Sequence, residues 1–204
     1  MTGPDIENTL PTLRELVEKG MQYVAEKEYV MAYECFLVAA EHGDAEAQYR
    51  LATCFYMGRG VERNYETAAT MYLRSAEQGC SAAQNILGVL YSKGKGVAKD
   101  YAQAVKWFVR AAEQGNVIAC RHLGNAYFTG AGVAQDYAIA VKWYRKAAEG
   151  GDTQAQYALG RCCRFGYGVE VDEYEAQEWF AKAASDKYLD TTLQLRRLGF
   201  DKNE

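Results

Sequence analysis

Residues 81–116 run SAAQNILGVLYSKGKGVAKDYAQAVKWFVRAAEQGN, and residues 117–152 run VIACRHLGNAYFTGAGVAQDYAIAVKWYRKAAEGGD. The second block repeats the first, thirty-six residues on. Outward from this pair the same columns persist. Gly58, Gly94, Gly130 and Gly166 form one, and Gly60, Gly96, Gly132 and Gly168, each followed by valine, form another. Ala68, Ala104, Ala140 and Ala176 keep phase, as do Met71, Trp107, Trp143 and Trp179, each followed by an aromatic residue. A fixed period of this length marks a repeat array, in which each unit buries its apolar face by stacking on the next.

Each unit reads as two helices. Ala83, Leu87, Gly88 and Tyr91, like Ala119, Leu123, Gly124 and Tyr127, are spaced by four, one and three, which sets them on one helical face. The small residue after leucine allows a neighbouring helix to come close. Gly-x-Gly-Val then ends the helix, since glycine enters positive φ without a Cβ clash. Asn64, Asp100, Asp136 and Asp172 are placed to cap the second helix, and Gln103 and Glu175, three residues on, are expected to complete capping boxes. The second helix carries Ala-x-x-Trp-Tyr-x-x-Ala-Ala and stops at Gly43, Gly79, Gly115 and Gly151. Asp44, Asn116 and Asp152 follow three of these glycines and can cap the next unit.

The ends depart from the pattern. Leu16, Gly20 and Tyr23 lead into Tyr29, Ala32, Phe36, Ala39 and Ala40 over a shorter turn that lacks Gly-x-Gly-Val. At the other end Lys187 replaces the expected glycine, and Leu189, Leu193, Leu195, Leu198 and Phe200 read as a half-unit interleaved with polar residues. Repeat arrays need such atypical termini, because an open end would expose the stacking face. The expected fold is all-α, an α-solenoid of about five antiparallel helix pairs plus a C-terminal capping helix. Its units fall at about 9–44, 45–80, 81–116, 117–152 and 153–188, with the cap at 189–200, in a single domain spanning 1–204.

Composition narrows the function. The chain has 204 residues, 49% hydrophobic and 25% charged, with a net charge of −4. This is ordinary globular usage and argues against nucleic-acid binding by bulk charge. No apolar run is long enough to span a membrane, and residues 1–7 show no secretory signal, so a cytoplasmic chain is expected. The six cysteines form no Cys-x-x-Cys pair and no metal-ligand spacing with His42 or His122. They read as reduced and mostly buried, with one of the adjacent Cys162 and Cys163 buried and the other partly exposed. No catalytic constellation, metal site or cofactor motif is expected. Gly-x-Gly-Val recurs four times after a helix, which makes it a turn rather than a phosphate loop.

The repeated motif is similar to the Sel-one-like repeat, a relative of the tetratricopeptide repeat with a longer turn inside the unit. That resemblance covers the four units from Ala45 to Tyr188, while the first, with Gly20 and Ala32 twelve residues apart, looks more like a plain tetratricopeptide repeat. It implies a right-handed superhelix with the first helices on its concave side. It also implies an adaptor or scaffold rather than an enzyme, of a kind found in signalling and in bacterial envelope or host-contact processes. A second reading is an inhibitor or immunity protein that covers the active site of a toxin or secreted enzyme. An enzyme or its regulatory subunit ranks last.

Binding residues in such an array should vary between units while facing the groove. Projecting the tetratricopeptide groove positions onto this chain gives Tyr56 and Met57, Asn85 and Lys93, Arg121, Asn125 and Phe128, and Arg161, Arg164 and Phe165. Tyr49 and Tyr157 stand where the family often has tyrosine and are set aside as packing residues. Aromatic residues and arginine are the types that carry interface energy. The three arginines point to an acidic peptide or a free C-terminal carboxylate, which guanidinium groups grip bidentately. Arg121 and Asn125, one turn apart, resemble the Lys/Asn spacing of carboxylate-clamping tetratricopeptide domains. The expected partner is thus a protein or peptide, bound by a monomer.

Overall fold

The computed structural model describes residues 11–184, which form helices and turns with no strand among them. Backbone contacts gather the chain into two compact units, one ending at Lys99 and one starting at Asp100. The first holds α1 (Leu13–Ala25), α2 (Tyr29–Glu41), α3 (Ala45–Met57), α4 (Tyr65–Glu77) and α5 (Ser81–Lys93). The second holds α6 (Tyr101–Glu113), α7 (Val117–Thr129), α8 (Tyr137–Glu149), α9 (Thr153–Phe165) and α10 (Glu173–Ala184). Helices pack in antiparallel pairs, α1 with α2 and α3 with α4 in the first unit, α7 with α8 and α9 with α10 in the second. The C-terminal cap expected at 189–200 lies outside the described residues.

The repeating residues make the core. In the second unit Ala119, Leu123, Ala155 and Leu159 are fully buried, each leucine contributing about 2 kcal/mol by leaving water. In three pairs a glycine of the first helix receives an aromatic ring from the paired second helix. A Cβ at Gly20 would sit 2.5 Å from Phe36, at Gly124 2.4 Å from Tyr144, and at Gly160 2.8 Å from Phe180. The Trp-aromatic column is thus spent on packing: Trp107, Phe108, Tyr144 and Trp179 are buried.

The two glycines of the turn do different work. Gly58, Gly94, Gly130 and Gly166 are left-handed C-caps, with φ between 67° and 76°. The second glycine presses on the preceding pair. At Gly60, φ is 75° and an added Cβ would lie 2.1 Å from the Tyr29 carbonyl oxygen, and at Gly168 2.4 Å from that of Tyr137. One turn therefore closes its own helix pair and fixes how closely it stacks on the one before.

Capping follows the sequence with one correction. Asp44, Asn64, Asp100, Asn116, Asp136 and Asp152 each accept from the backbone N–H three residues on, as expected. The reciprocal box at Glu175 does not form, because the Asp172 N–H donates to the Cys163 carbonyl at 2.9 Å and Glu175 turns to other partners. Gln103 likewise supplies only its backbone N–H, to Asp100. The reciprocal arrangement appears at the head of α1 instead, between Thr12 and Glu15. The shorter first turn is made by Lys27, at φ 64°.

A second correction concerns the cysteines. Cys162 and Cys163 are both buried, at 1% and 0% exposure. Burial pushes their thiols up to about 11 and about 12, which disfavours the thiolate at neutral pH.

Candidate functional site

The ten residues projected from the repeat pattern are placed very differently. In the first unit Met57 is 52% exposed and Lys93 is exposed, both at the C-terminal ends of their helices. Asn85 is 5% exposed, with its Oδ1 unpartnered. Tyr56 is half-buried, its ring 5.3 Å from Tyr65. The Lys95 ammonium lies over both rings, at 5.0 Å and 4.4 Å. Hydrogen bonds that the ammonium donates to the Tyr65 and Tyr56 hydroxyls hold the Lys95 pKa above its usual value.

In the second unit two of the three arginines are tied down. Arg121 Nε donates to Asp152 Oδ2 at 2.9 Å, with the two side chains 16% and 11% exposed. Asp152 serves twice, since its Oδ1 caps α9 through the Ala155 N–H at 2.7 Å. Arg164 is paired with Glu173, and that guanidinium holds the carboxyl below the usual range. This pair stands where the preceding repeat has Phe128 against Tyr137, rings 4.9 Å apart, so an ion pair fills a slot that aromatic packing fills thirty-six residues earlier. Arg161 differs from both: no carboxylate among the described residues pairs with it.

Asn125, Phe128 and Arg161 do come together. With Thr129, Tyr144, Tyr157 and Ala158 they line a cleft of about 220 Å³ between α7 and α9, two first helices, floored by the α8 residue Tyr144. Phe128 forms one wall, held by Tyr137, Tyr144 and Tyr167 at ring distances of 4.9, 6.3 and 5.5 Å. Phe165, 52% exposed, extends the aromatic surface 5.9 Å from Tyr167.

Hydrogen bonding fixes the polarity of this cleft. The Tyr144 hydroxyl donates to Asn125 Oδ1 at 2.8 Å, which leaves Asn125 with its Nδ2 donors. Thr129 Oγ1 donates to the Asn125 carbonyl at 2.8 Å. The Tyr157 hydroxyl is buried without a hydrogen-bond partner, and burial raises its pKa. Tyr157 and Tyr144 are the site residues that the repeat pattern hides, because Tyr144 falls in the aromatic packing column and Tyr157 is set aside as a packing residue. The absence of an acidic residue four positions before Arg161 was the available signal.

The remaining ionic groups are structural. Glu175 accepts from Arg145 at 2.6 Å and from the Trp179 indole at 3.1 Å, and the arginine lowers its pKa. His42 places Nδ1 2.7 Å from the Val38 carbonyl at the end of α2, and His122 stacks on Phe108 at 4.8 Å. Among the described residues no group of three His, Cys, Asp or Glu side chains is placed to hold a metal, and no helix is long and apolar enough to cross a membrane.

Comparison with known proteins bears on the whole chain. The sequence pattern of the Sel1 repeat matches residues 18–44, 45–80, 81–116, 117–152 and 153–188. A Sel1 repeat protein from Oxalobacter formigenes is similar in structure at a TM-score of 0.83 and 31% identity, over 94% of this chain and 82% of that one. The c5321 protein, a protective antigen of uropathogenic Escherichia coli with an SLR fold, matches at 0.80 and 34% identity over 84% of this chain. This chain spans 38% of that protein. A Sel1 repeat protein from Klebsiella pneumoniae shares the fold at 0.61 and 20% identity, over 92% and 93% of the two chains. No curated protein is significantly similar to it. Five successive repeats, four of them carrying the double-glycine turn, make this chain a member of the Sel1 repeat family of the tetratricopeptide-like superfamily, whose members generally mediate protein–protein interaction without catalysis.

Proposed function

We propose that this chain is a non-catalytic adaptor that holds a segment of a partner protein in the groove lined by its first helices, with the α7–α9 cleft as the anchor. The observation that carries the reading is the cleft itself, where Phe128 and Tyr157 wall a recess that residues outside the repeating core create. Phe165 continues it as exposed aromatic surface, and exposed aromatics beside a recess are the usual makings of an interface anchor. The rigid stacking of helix pairs supplies the recess ready-made, so the partner bears most of the ordering entropy.

An array of short synthetic peptides, each with free and with amidated C-termini, tests this. Peptides retained by the wild-type chain should lose about tenfold or more in affinity on Phe128→Ala, the size of loss typical of a central aromatic anchor. Retained peptides whose affinity is unchanged by Phe128→Ala and by Phe165→Ala would place binding elsewhere and refute the reading.

A further inference from the structure

We infer that the α7–α9 cleft recognises the free C-terminal carboxylate of its partner, with the last side chain seated against Phe128. The inference rests on the cleft being a peptide site and adds the chemistry of the group it takes. Three polar side chains line it with donors to spare. Arg161 has no carboxylate partner among the described residues. Asn125, its Oδ1 engaged by Tyr144, retains its Nδ2 hydrogens, and the Tyr157 hydroxyl has no acceptor. The Thr129 and Tyr144 hydroxyls give their hydrogens to Asn125 and offer no further donor, so an acceptor would be held by the other three.

A recess with an uncompensated guanidinium and surplus donors is complementary to a group that only accepts, and a carboxylate is the peptide group that fits. A buried hydroxyl without a partner is costly, and an arriving oxygen would relieve that cost. Because the hydroxyl is sealed from solvent, rim side chains must swing aside to admit it, which Arg161 can do without breaking an ion pair.

Size separates a chain terminus from an acidic side chain in mid-segment. About 220 Å³ is below the roughly 300 Å³ at which pockets for drug-sized molecules begin, and it gives room for one end residue rather than a strand passing through. The neighbouring cations do not compete for the anion, since Arg121 is held by Asp152 and Arg164 is paired with Glu173.

The same peptide array decides it. Free-acid peptides ending in an apolar residue should bind about tenfold tighter than their amides, the difference expected for losing a charge-assisted pair. Arg161→Met should erase that difference while leaving the amides unaffected, and Arg161→Lys should restore part of it. Tyr157→Phe should narrow the acid–amide gap without lowering the unfolding midpoint, because a hydroxyl with no partner stabilises nothing that its removal could lose. Acids and amides that bind equally, both lost on Phe128→Ala, would overturn the carboxylate and leave the peptide cleft standing. Equal preference for internal aspartate or glutamate peptides would overturn the terminus. Failure of every peptide to bind would overturn both.

Discussion

A cleft between successive first helices in the first unit differs in size and lining from one in the second. The N-terminal one lies between α1 and α3 over α2, lined by Met21, Val24, Phe36, Thr53 and Cys54 among others, and holds about 100 Å³. Of its two arginines, Arg50 is gripped by Glu46 one turn earlier at 2.6 Å and lies over the Tyr49 ring at 5.2 Å, while Arg59 lies over the Tyr29 ring at 5.1 Å. The C-terminal cleft between α7 and α9 is about 220 Å³. There Arg161 has Tyr157 four residues before it, where Arg50 has Glu46, and so keeps its charge uncompensated. The same helical frame makes both recesses. A few side chains outside the repeating columns decide that one is small, with its cations laid over tyrosine rings, while the other is larger and holds Arg161 beside spare amide donors, and recognition chemistry resides in that difference.

The frame is where the comparison breaks most violently. Gly60→Ala should drive a Cβ into the Tyr29 carbonyl, and Gly168→Ala into that of Tyr137, in each case at a positive φ. Either substitution is expected to cost about 3 kcal/mol or more, read as a lower urea midpoint. Gly168→Ala should also weaken peptide binding, whereas Gly60→Ala, in the other unit, should leave it unchanged in whatever fraction remains folded.

Phe128→Ala removes a half-buried ring with three aromatic neighbours and should destabilise by about 2 kcal/mol, less than a fully buried phenylalanine. Unlike the glycine variants, it should abolish cleft binding at temperatures where the protein stays folded.

Acid supplies a gentler perturbation near the C-terminal cleft. The Glu175 pKa is lowered in the folded chain by Arg145 and the Trp179 indole, so the unfolded chain takes up the proton first as pH falls. The stability it contributes is whole above the ordinary glutamate value of about 4.5 and is lost as pH falls from there through the lowered folded value. Unfolding curves of Glu175→Gln should therefore lie below wild type at neutral pH and converge on it in acid. The gap should be well under about 1 kcal/mol, because the pair is partly open to water.

Glu46→Ala should have the smallest effect. Loss of a partly exposed i,i+4 pair is worth about 0.3–0.5 kcal/mol, and freeing Arg50 should not confer acid-ended peptide binding on so small a recess. Acquired binding would show that charge alone, not the size of the cleft, makes the site.

Helix pairs, turn glycines and N-caps were legible in the sequence because each depends on a few adjacent residues and recurs at a fixed period. The site was legible only in part. Position in the repeat put Asn125, Phe128 and Arg161 on one face, and the structure gathers them in one cleft. Periodicity could not say which arginine would keep an open charge, since Arg121 finds Asp152 thirty-one residues on and Arg164 finds Glu173 across a turn. It also hid Tyr157, whose hydroxyl matters through what fails to reach it rather than through its place in the repeat. The expected capping box at Glu175 failed for a related reason: the Asp172 N–H is already used by a carbonyl of the preceding helix, a contact that residue spacing does not reveal.

The most direct measurement is a backbone and side-chain amide NMR titration of the 204-residue chain with a free-acid peptide from the array. The account expects the largest shifts at Asn125, Phe128, Thr129, Tyr157, Ala158 and Arg161, including the Asn125 side-chain amide, with the α1–α3 cleft silent. Shifts centred on the outward second helices, or shared equally with Arg50 and Thr53, would contradict it.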